Sequence, residues 1–476
     1  MTAHLRSELR LIAVVAGAAI LPACFASPRP GSVSAGQEVI AITNVTVITM
    51  LDTVAVPGRT VLIRGGRIER LGPAALVEAP AGSRVVDGTG RFLIPGLFDM
   101  HVHTSKTRAS ALGLYVAHGI TTVRDQGSEH AEVLRWRREV RSGTRVGPRM
   151  LIAGPYLESR SNIERMRRDP PEARVEPFER ARVAVSSPAD ARRIVDSLAR
   201  LELDHLKIRT VQDRETYLAL GAAADAAGLR LTGHVVTSSP STFLQAGQDG
   251  VDHLFFIPPD SLRAAVARGF WRELAARGVG VVPTLVVRES VLRPARYYEA
   301  LLEDTTGAVH PLRPYLSAFI IRDWREQAAE QTPQRRALYE QIWPTVLAQV
   351  RDMRRAGIRL MAGSDVAVLN IFPGASLHQE LDFFVDSVGM SPAEALASAT
   401  RSPAEWLGLA DSVGTIAPGK VADLVLLDAN PLDDIRNVRR IAAVFLRGRA
   451  FDRAGLDDLM RAVRAMPDIR TNDWLR

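Results

Sequence analysis

Lys207 closes an apolar, strand-like stretch, Leu203-Asp204-His205-Leu206-Lys207-Ile208, in a chain where three of sixty Lys and Arg residues are Lys. Guanidinium groups form salt bridges and bind anions at least as well as ammonium groups, but they are not nucleophiles near neutral pH. An amine kept at a place that reads as buried is therefore a candidate for covalent chemistry, either a Schiff base or a carbamate formed with CO2. The plain alternative is a lysine capping a strand end. A second cluster weighs against that alternative. The run Leu93-Ile94-Pro95-Gly96-Leu97-Phe98-Asp99-Met100-His101-Val102-His103 is apolar and ends in His-X-His. Strand residues i and i+2 share a face, so His101 and His103 aim at one point. Two converging imidazoles are a start for a divalent metal site, although paired histidines also occur on ordinary surfaces.

Further ligand-type residues recur at regular intervals. His234 ends Leu229-Arg230-Leu231-Thr232-Gly233-His234, His253 ends Gly250-Val251-Asp252-His253, and Asp365 ends Ile358-Arg359-Leu360-Met361-Ala362-Gly363-Ser364-Asp365. Each closes a short apolar run preceded by a helix-like stretch, the alternation a parallel barrel requires. The predicted fold is α/β, a (β/α)8 TIM barrel with strands near residues 94–103, 120–125, 149–154, 203–208, 230–235, 250–255, 279–285 and 358–364. Strand C-terminal ends form the active face of such a barrel. His101, His103, Lys207, His234, His253 and Asp365 then meet at one mouth.

Around the barrel the chain divides into residues 1–23 (signal peptide), 24–37 (Ser/Pro/Gly-rich tether), 38–93 and 409–455 (two β-rich segments forming one small β-sandwich), 94–408 (barrel) and 456–476 (C-terminal tail). The Gly65-Gly66 pair is a hairpin signal. Two connections are longer than a simple βα unit needs. Residues 155–187 form an Arg-rich loop, and residues 287–349 read as helical, with Tyr297, Tyr298, Trp324 and Trp343. Long loops on the active face shape substrate choice.

The chain resembles the amidohydrolase superfamily of metal-dependent hydrolases, in its imidazolonepropionase-like and Xaa-Pro dipeptidase-like branch, from about Val39 to Phe451. The marks are Pro95 to His103, Thr121-Thr122-Val123-Arg124-Asp125, Ala362-Gly363-Ser364-Asp365 and Gly419-Lys420-Val421-Ala422-Asp423-Leu424-Val425. The resemblance implies that His101, His103 and Asp365 hold one divalent ion, His234 and His253 a second, and a carbamate on Lys207 bridges them. Zn suits these ligands best, while Mn, Co, Ni or Fe also fit. A hydroxide shared by two such ions is a nucleophile near pH 7, with Asp365 as acid and base. One alignment moves the sixth-strand ligand three residues on, to Phe256; the one that keeps His253 loses no ligand. The resemblance further places His378 at the pocket, with support of a helix end as the alternative. Tyr156, just after the third strand, is a second substrate contact, and an Arg of the 155–187 loop suits a substrate carboxylate. His205 and His118 read as interior packing groups, and Lys420 as part of a turn.

The expected activity is hydrolysis of an amide or peptide C–N bond in a small molecule, a Xaa-Pro-type dipeptide or an N-acyl amino acid. The alternatives are a cyclic amide hydrolase, a deaminase, and a surface binding lipoprotein on the same scaffold without catalysis. Retention of all six ligand-type residues argues against the last, and the presence of Lys207 against a mononuclear deaminase.

Composition sets outer bounds. With 46% hydrophobic and 24% charged residues, the chain is an ordinary globular protein. The net charge of +7 comes from Arg spread along the chain, without a basic run interleaved with aromatics, so no nucleic-acid partner is expected. Arg6 and Arg10 precede the apolar run Leu11 to Leu21, too short for a membrane span, and Leu21-Pro22-Ala23-Cys24 resembles a lipoprotein cleavage box despite its unusual Pro22. Cys24 is the sole cysteine, so it forms no internal disulfide and is the expected lipid anchor. The protein is expected to be exported to the periplasm or cell envelope of a bacterium; its oligomeric state is left open.

Overall fold

The computed structural model describes residues 39–168, 180–254 and 264–466. The export signal with Cys24, the tether, Phe256 and the last ten residues lie outside the described residues.

The terminal β segments meet in one eight-stranded sheet. From the first come β1 (Val39–Ile48), β2 (Ala55–Arg64), β3 (Arg67–Pro73), β4 (Arg84–Asp87) and β5 (Phe92–Pro95). The central, parallel strands are β6 (Leu97–Val102), β7 (Ile120–Asp125), β8 (Arg149–Ile152), β9 (Tyr156–Ser159), β10 (Arg182–Val185), β11 (His205–Ile208), β12 (Arg230–Gly233), β13 (Gly250–Asp252), β14 (Gly280–Val282) and β15 (Arg359–Leu360). The chain then returns to the first sheet with β16 (Leu424–Leu427), β17 (Ile441–Leu446) and β18 (Arg449–Asp452). Val425 opposite Ile94 and Leu426 opposite Leu93 join the two ends across β16 and β5. The Gly65-Gly66 turn closes the β2–β3 hairpin with positive φ at both residues, as its glycines lead one to expect.

The parallel strands pair as β6-β7-β8 and β10-β9-β11-β12-β13-β14-β15. Backbone bonds also run from Met100 N to Ala362 O (3.0 Å), from Asp365 N to His101 O (2.8 Å) and from Asp204 N to Ile152 O (2.9 Å). The α/β architecture with parallel strands is therefore that of the TIM-barrel type, built by strands buried on both faces: all six residues of β6 and of β7 are buried.

The structure redraws four segments. The predicted strand 94–103 divides at Gly96, whose N–H donates to Asp423 O (2.8 Å), so Phe92–Pro95 belongs to the terminal sheet. The 155–187 connection is no plain loop. It contains β9 and β10, paired in parallel, and between them the helix Arg160–Arg167, whose N-cap Ser159 accepts from Asn162 N. The last parallel strand ends at Leu360, and residues 361–366 carry its bonding on irregularly, to β14, β6 and Ser398. Finally, the expected tail opens with a helix, Arg453–Arg464, which buries Leu456 and Val463 against helix Ala111–Ala117. The 287–349 region is helical as expected, with Ala295–Glu303, Ala318–Ala329 and Pro333–Arg355 its longest helices.

Candidate metal centre

The floor of the site is laid by the ends of β6 and of the segment after β15. His101 lies on β6 and His103 just beyond it, where a short helix begins, so the i, i+2 spacing brings Nε2 of one to 3.4 Å from Nε2 of the other. Asp365 sits opposite, with Oδ1 3.2 Å from His101 Nε2 and 3.1 Å from His103 Nε2. Close approach of the two segments depends on Gly363, because a Cβ there would stand 2.9 Å from His101 N and 2.5 Å from the Val282 side chain. Asp99 fastens them from below: its carboxylate accepts from His101 N (3.2 Å), Ser364 N (2.9 Å) and Ser364 Oγ (2.6 Å). Burial raises the Asp99 carboxyl to about 7, against the pull of those donors.

His253 follows β13 and reaches Asp365 Oδ2 at 3.7 Å, with its ring 4.9 Å from that of His101 and 5.1 Å from that of His234. Both His253 (φ 65°) and Asp365 (φ 56°) hold left-handed backbones, which non-glycine residues seldom adopt and which cluster at functional sites. The outer nitrogens are oriented as metal-ligating imidazoles require. His103 Nδ1 faces Gly127 O (3.2 Å) and Tyr156 Oη (3.0 Å), and His253 Nδ1 faces Thr284 Oγ1 (2.7 Å). His101 Nδ1 is 3.6 Å from Asp252 Oδ1, beyond hydrogen-bond range and without another partner.

Electrostatics favour neutral rings around one anion. Burial lowers His101, pushes His253 down to about 3 and holds His234 well below its ordinary value. Burial alone would raise Asp365, but His101, His253 and His103 outweigh it and hold the carboxylate low. Deprotonated imidazoles and an ionised carboxylate are the donor forms a divalent cation needs. The donor atoms of His101, His103 and Asp365 lie within 4.8 Å of one another, so this set fits one ion.

Lys207 on β11 is buried, with Nζ 2.5 Å from Asp252 Oδ2, and the other oxygen of Asp252 is 2.7 Å from Arg124 Nη2. Burial lowers the Lys207 amine although Asp252 pulls the other way; burial would raise Asp252, but Lys207, His101 and Arg124 hold it well below the carboxylate range. Neither Asp252 nor Arg124 was singled out from sequence, although both carried a legible signal: a charge alternating with apolar residues on a barrel strand points inward.

Above this floor lies a cavity of about 170 Å³ bordered by His103, Tyr156, Lys207, His234, His253 and Asp365 among others. The structure thus gathers six sequence-predicted residues here, and His101 lies beneath them. Tyr156 begins β9, paired with Lys207, and the guanidinium groups of Arg182 and Arg209 lie over its ring at 5.1 and 5.4 Å. Both arginines share the buried Glu158, at 3.5 and 2.9 Å. His378 is elsewhere. It borders a separate cavity with His118, Arg439 and Arg453, because the start of helix Ala375–Asp386 turns its Nε2 onto His118 O (2.9 Å). His205 is buried as expected, but among the described residues neither ring nitrogen has a hydrogen-bond partner, so it is not the satisfied interior group the sequence suggested. Lys420 is structural: Nζ donates to Ala410 O (2.6 Å) and to Thr415 Oγ1.

Comparison with known proteins places the chain among relatives. The adenine deaminase of Ruegeria pomeroyi is 35% identical over 113 residues, 23% of this chain and 19% of that protein. The imidazolonepropionase of Pseudomonas putida is 26% identical over 387 residues, 78% of this chain and 88% of that one. The chain spans less than two thirds of the length of the first curated relatives it matches. Among solved structures, a Bifidobacterium longum protein provisionally assigned as a prolidase is 25% identical, with a TM-score of 0.67 over 90% of this chain and 99% of that one. The family model for the amidohydrolase family matches residues 92–451, from β5 to β18, and the chain therefore belongs to the amidohydrolase family of hydrolases.

Proposed function

We propose that the chain is a metal-dependent hydrolase that cleaves an amide or peptide C–N bond of a small molecule, a Xaa-Pro-type dipeptide or an N-acyl amino acid. The observation that carries this reading is the convergence of His101, His103 and His253 on the two carboxylate oxygens of Asp365 at the floor of a cavity. His101, His103 and Asp365 would hold one divalent ion, Zn foremost; His234, His253 and a carbamate on Lys207 would hold a second. Ions bound there supply Lewis acidity and lower the pKa of water. Asp365, in reach of all three rings, is placed to take the proton of the attacking water and return it to the leaving amine. Gly127 O, Tyr156 and Thr284 fix the tilt of His103 and His253. In this reading the parallel strands close into one (β/α)8 barrel between residues 100–103 and 362–366. The protein is an exported lipoprotein held at Cys24, a reading that rests on the N-terminal sequence. Among the described residues no helix is long and apolar enough to cross a membrane.

One observation favours a second reading. Lys207 is 2.5 Å from Asp252, an ion pair that stabilises the ammonium form and opposes carbamate formation. If the pair persists, the site holds one ion, and deamination becomes the alternative chemistry. Carbamylation would leave Arg124 as the charge balancing Asp252. Elemental analysis of the wild type and Lys207→Ala, with Xaa-Pro and N-acyl amino acid hydrolysis assayed alongside, separates the two. About two ions per chain falling to one or none, with loss of activity, supports the binuclear hydrolase; one ion in both proteins overturns it.

A further inference from the structure

Lys106 stands three residues past His103, in the short helix Thr104–Thr107, and borders the same cavity as Lys207 and Asp365. Its nearest acidic neighbour is Asp323, on helix Ala318–Ala329, with Oδ2 3.8 Å from Lys106 Nζ; Glu326 of the same helix also lies within range of its charge. Charge-assisted hydrogen bonds between such groups close to about 2.8 Å, so this pair is not a committed one. Asp323 itself is firmly held: Gln327 Nε2 donates to the same oxygen at 3.0 Å, and Gln327 Oε1 accepts from Leu369 N at 2.8 Å. The loosely held member is therefore Lys106, with a side chain 25% exposed at the cavity wall.

Besides Lys207, which is paired with Asp252, the wall carries two more cations, and they are differently placed. Arg182 and Arg209 share the buried Glu158 and lie over the Tyr156 ring, so their charge is met by the protein. The residue type at 106 points the same way. Nearly all other cations in this chain are Arg, and a guanidinium opposite Asp323 would close a planar, two-point bond. An ammonium on a flexible stem is a compact charge that can pivot between two carboxylates.

We propose that Lys106 anchors the substrate carboxylate on the leaving-amine side of the scissile bond, and that Asp323 holds the Lys106 ammonium when no substrate is bound. This rests on the amide-hydrolase reading, in which both substrate types carry such a carboxylate, and names the residue that selects it. Asp323 competes with the substrate carboxylate for one ammonium, so the two residues have opposite effects on selectivity.

The test compares N-acetyl-L-proline with its C-terminal carboxamide on full-length, Zn-loaded wild type, Lys106→Met and Asp323→Asn. The ratio of kcat/KM for acid over amide should fall about tenfold in Lys106→Met, through KM, and rise in Asp323→Asn, whose amide oxygen still accepts from Gln327. A ratio unmoved in Lys106→Met, or lowered in Asp323→Asn, overturns the proposal. Calorimetric binding of both compounds to the same proteins supplies a readout free of turnover. If neither compound is hydrolysed but Lys106→Met binds the acid about tenfold more weakly, the amide-hydrolase reading fails and the anchor stands. Equal affinities of wild type and Lys106→Met for the acid, or no binding by either, sink the anchor itself. Should Lys106→Met not fold, the direction of change in Asp323→Asn decides alone.

Discussion

Two groups of buried histidines lie in this molecule, and they have opposite chemistry. At the metal centre, His101, His103 and His253 face the oxygens of Asp365. At the second cavity, His118 Nδ1 faces Leu114 O (2.8 Å) and His378 Nε2 faces His118 O (2.9 Å), while the bordering charges are Arg439 and Arg453. Burial lowers His101 and His253 in the first place and His118 and His378 in the second. The first suits a cation, because the rings converge on an anion and the outer nitrogens of His103 and His253 have separate partners. At the second, one ring nitrogen of each histidine is committed to a main-chain carbonyl and arginines supply the local field. Imidazoles alone do not make a metal site; a carboxylate at their focus does.

Removing that carboxylate breaks the contrast most directly. Asp365→Asn keeps the shape but deletes the anion and the proposed proton acceptor, so kcat/KM should fall at least about a hundredfold. Metal content should fall with it, which steady-state kinetics and elemental analysis check together. His378→Phe probes the other group. It loses the bond to His118 O, with an expected cost of about 1–2 kcal/mol, read from urea unfolding, while metal content stays at the wild-type level. The smallest effect is a pH dependence at the second group. Burial pushes His310, stacked on Phe372, down to about 4 and lowers His118 and His378 as well. These groups bind protons more readily unfolded than folded, so their stabilising contribution is full above pH 6.5 and lost as pH falls toward about 4. Unfolding midpoints of metal-free protein should drop over that window, His101, His234 and His253 adding to the fall, and His310→Phe should make the slope shallower.

Much of the fold was readable because its signals are local. The apolar runs that end in His, Lys or Asp mark where β6, β11, β12 and β13 lie to within a few residues, and Gly65-Gly66 marks the hairpin. What was misread depends on partners distant in sequence. Phe92–Pro95 and Leu97–Val102 look like one apolar run, but their hydrogen bonds go to β16 in one case and β7 in the other. Tyr156–Ser159 looks like loop because it is four residues long; its pairing with β10 and β11 makes it a strand. His378 shares a family pattern, yet which cavity it borders depends on where its helix begins relative to His118.

Residue type and spacing by themselves determined the chemistry on offer: paired imidazoles at i and i+2, a carboxylate and histidines at strand ends, and one buried amine among arginines. Those properties are covalent and periodic, so one chain suffices to read them. Only the tertiary structure decided which charges meet. Lys207 finds Asp252, forty-five positions away, Arg124 shares that carboxylate from the far side, and Lys106 is held loosely by Asp323 on an inserted helix. Electrostatic interactions depend on distance and burial, and neither is fixed until the chain has folded around them.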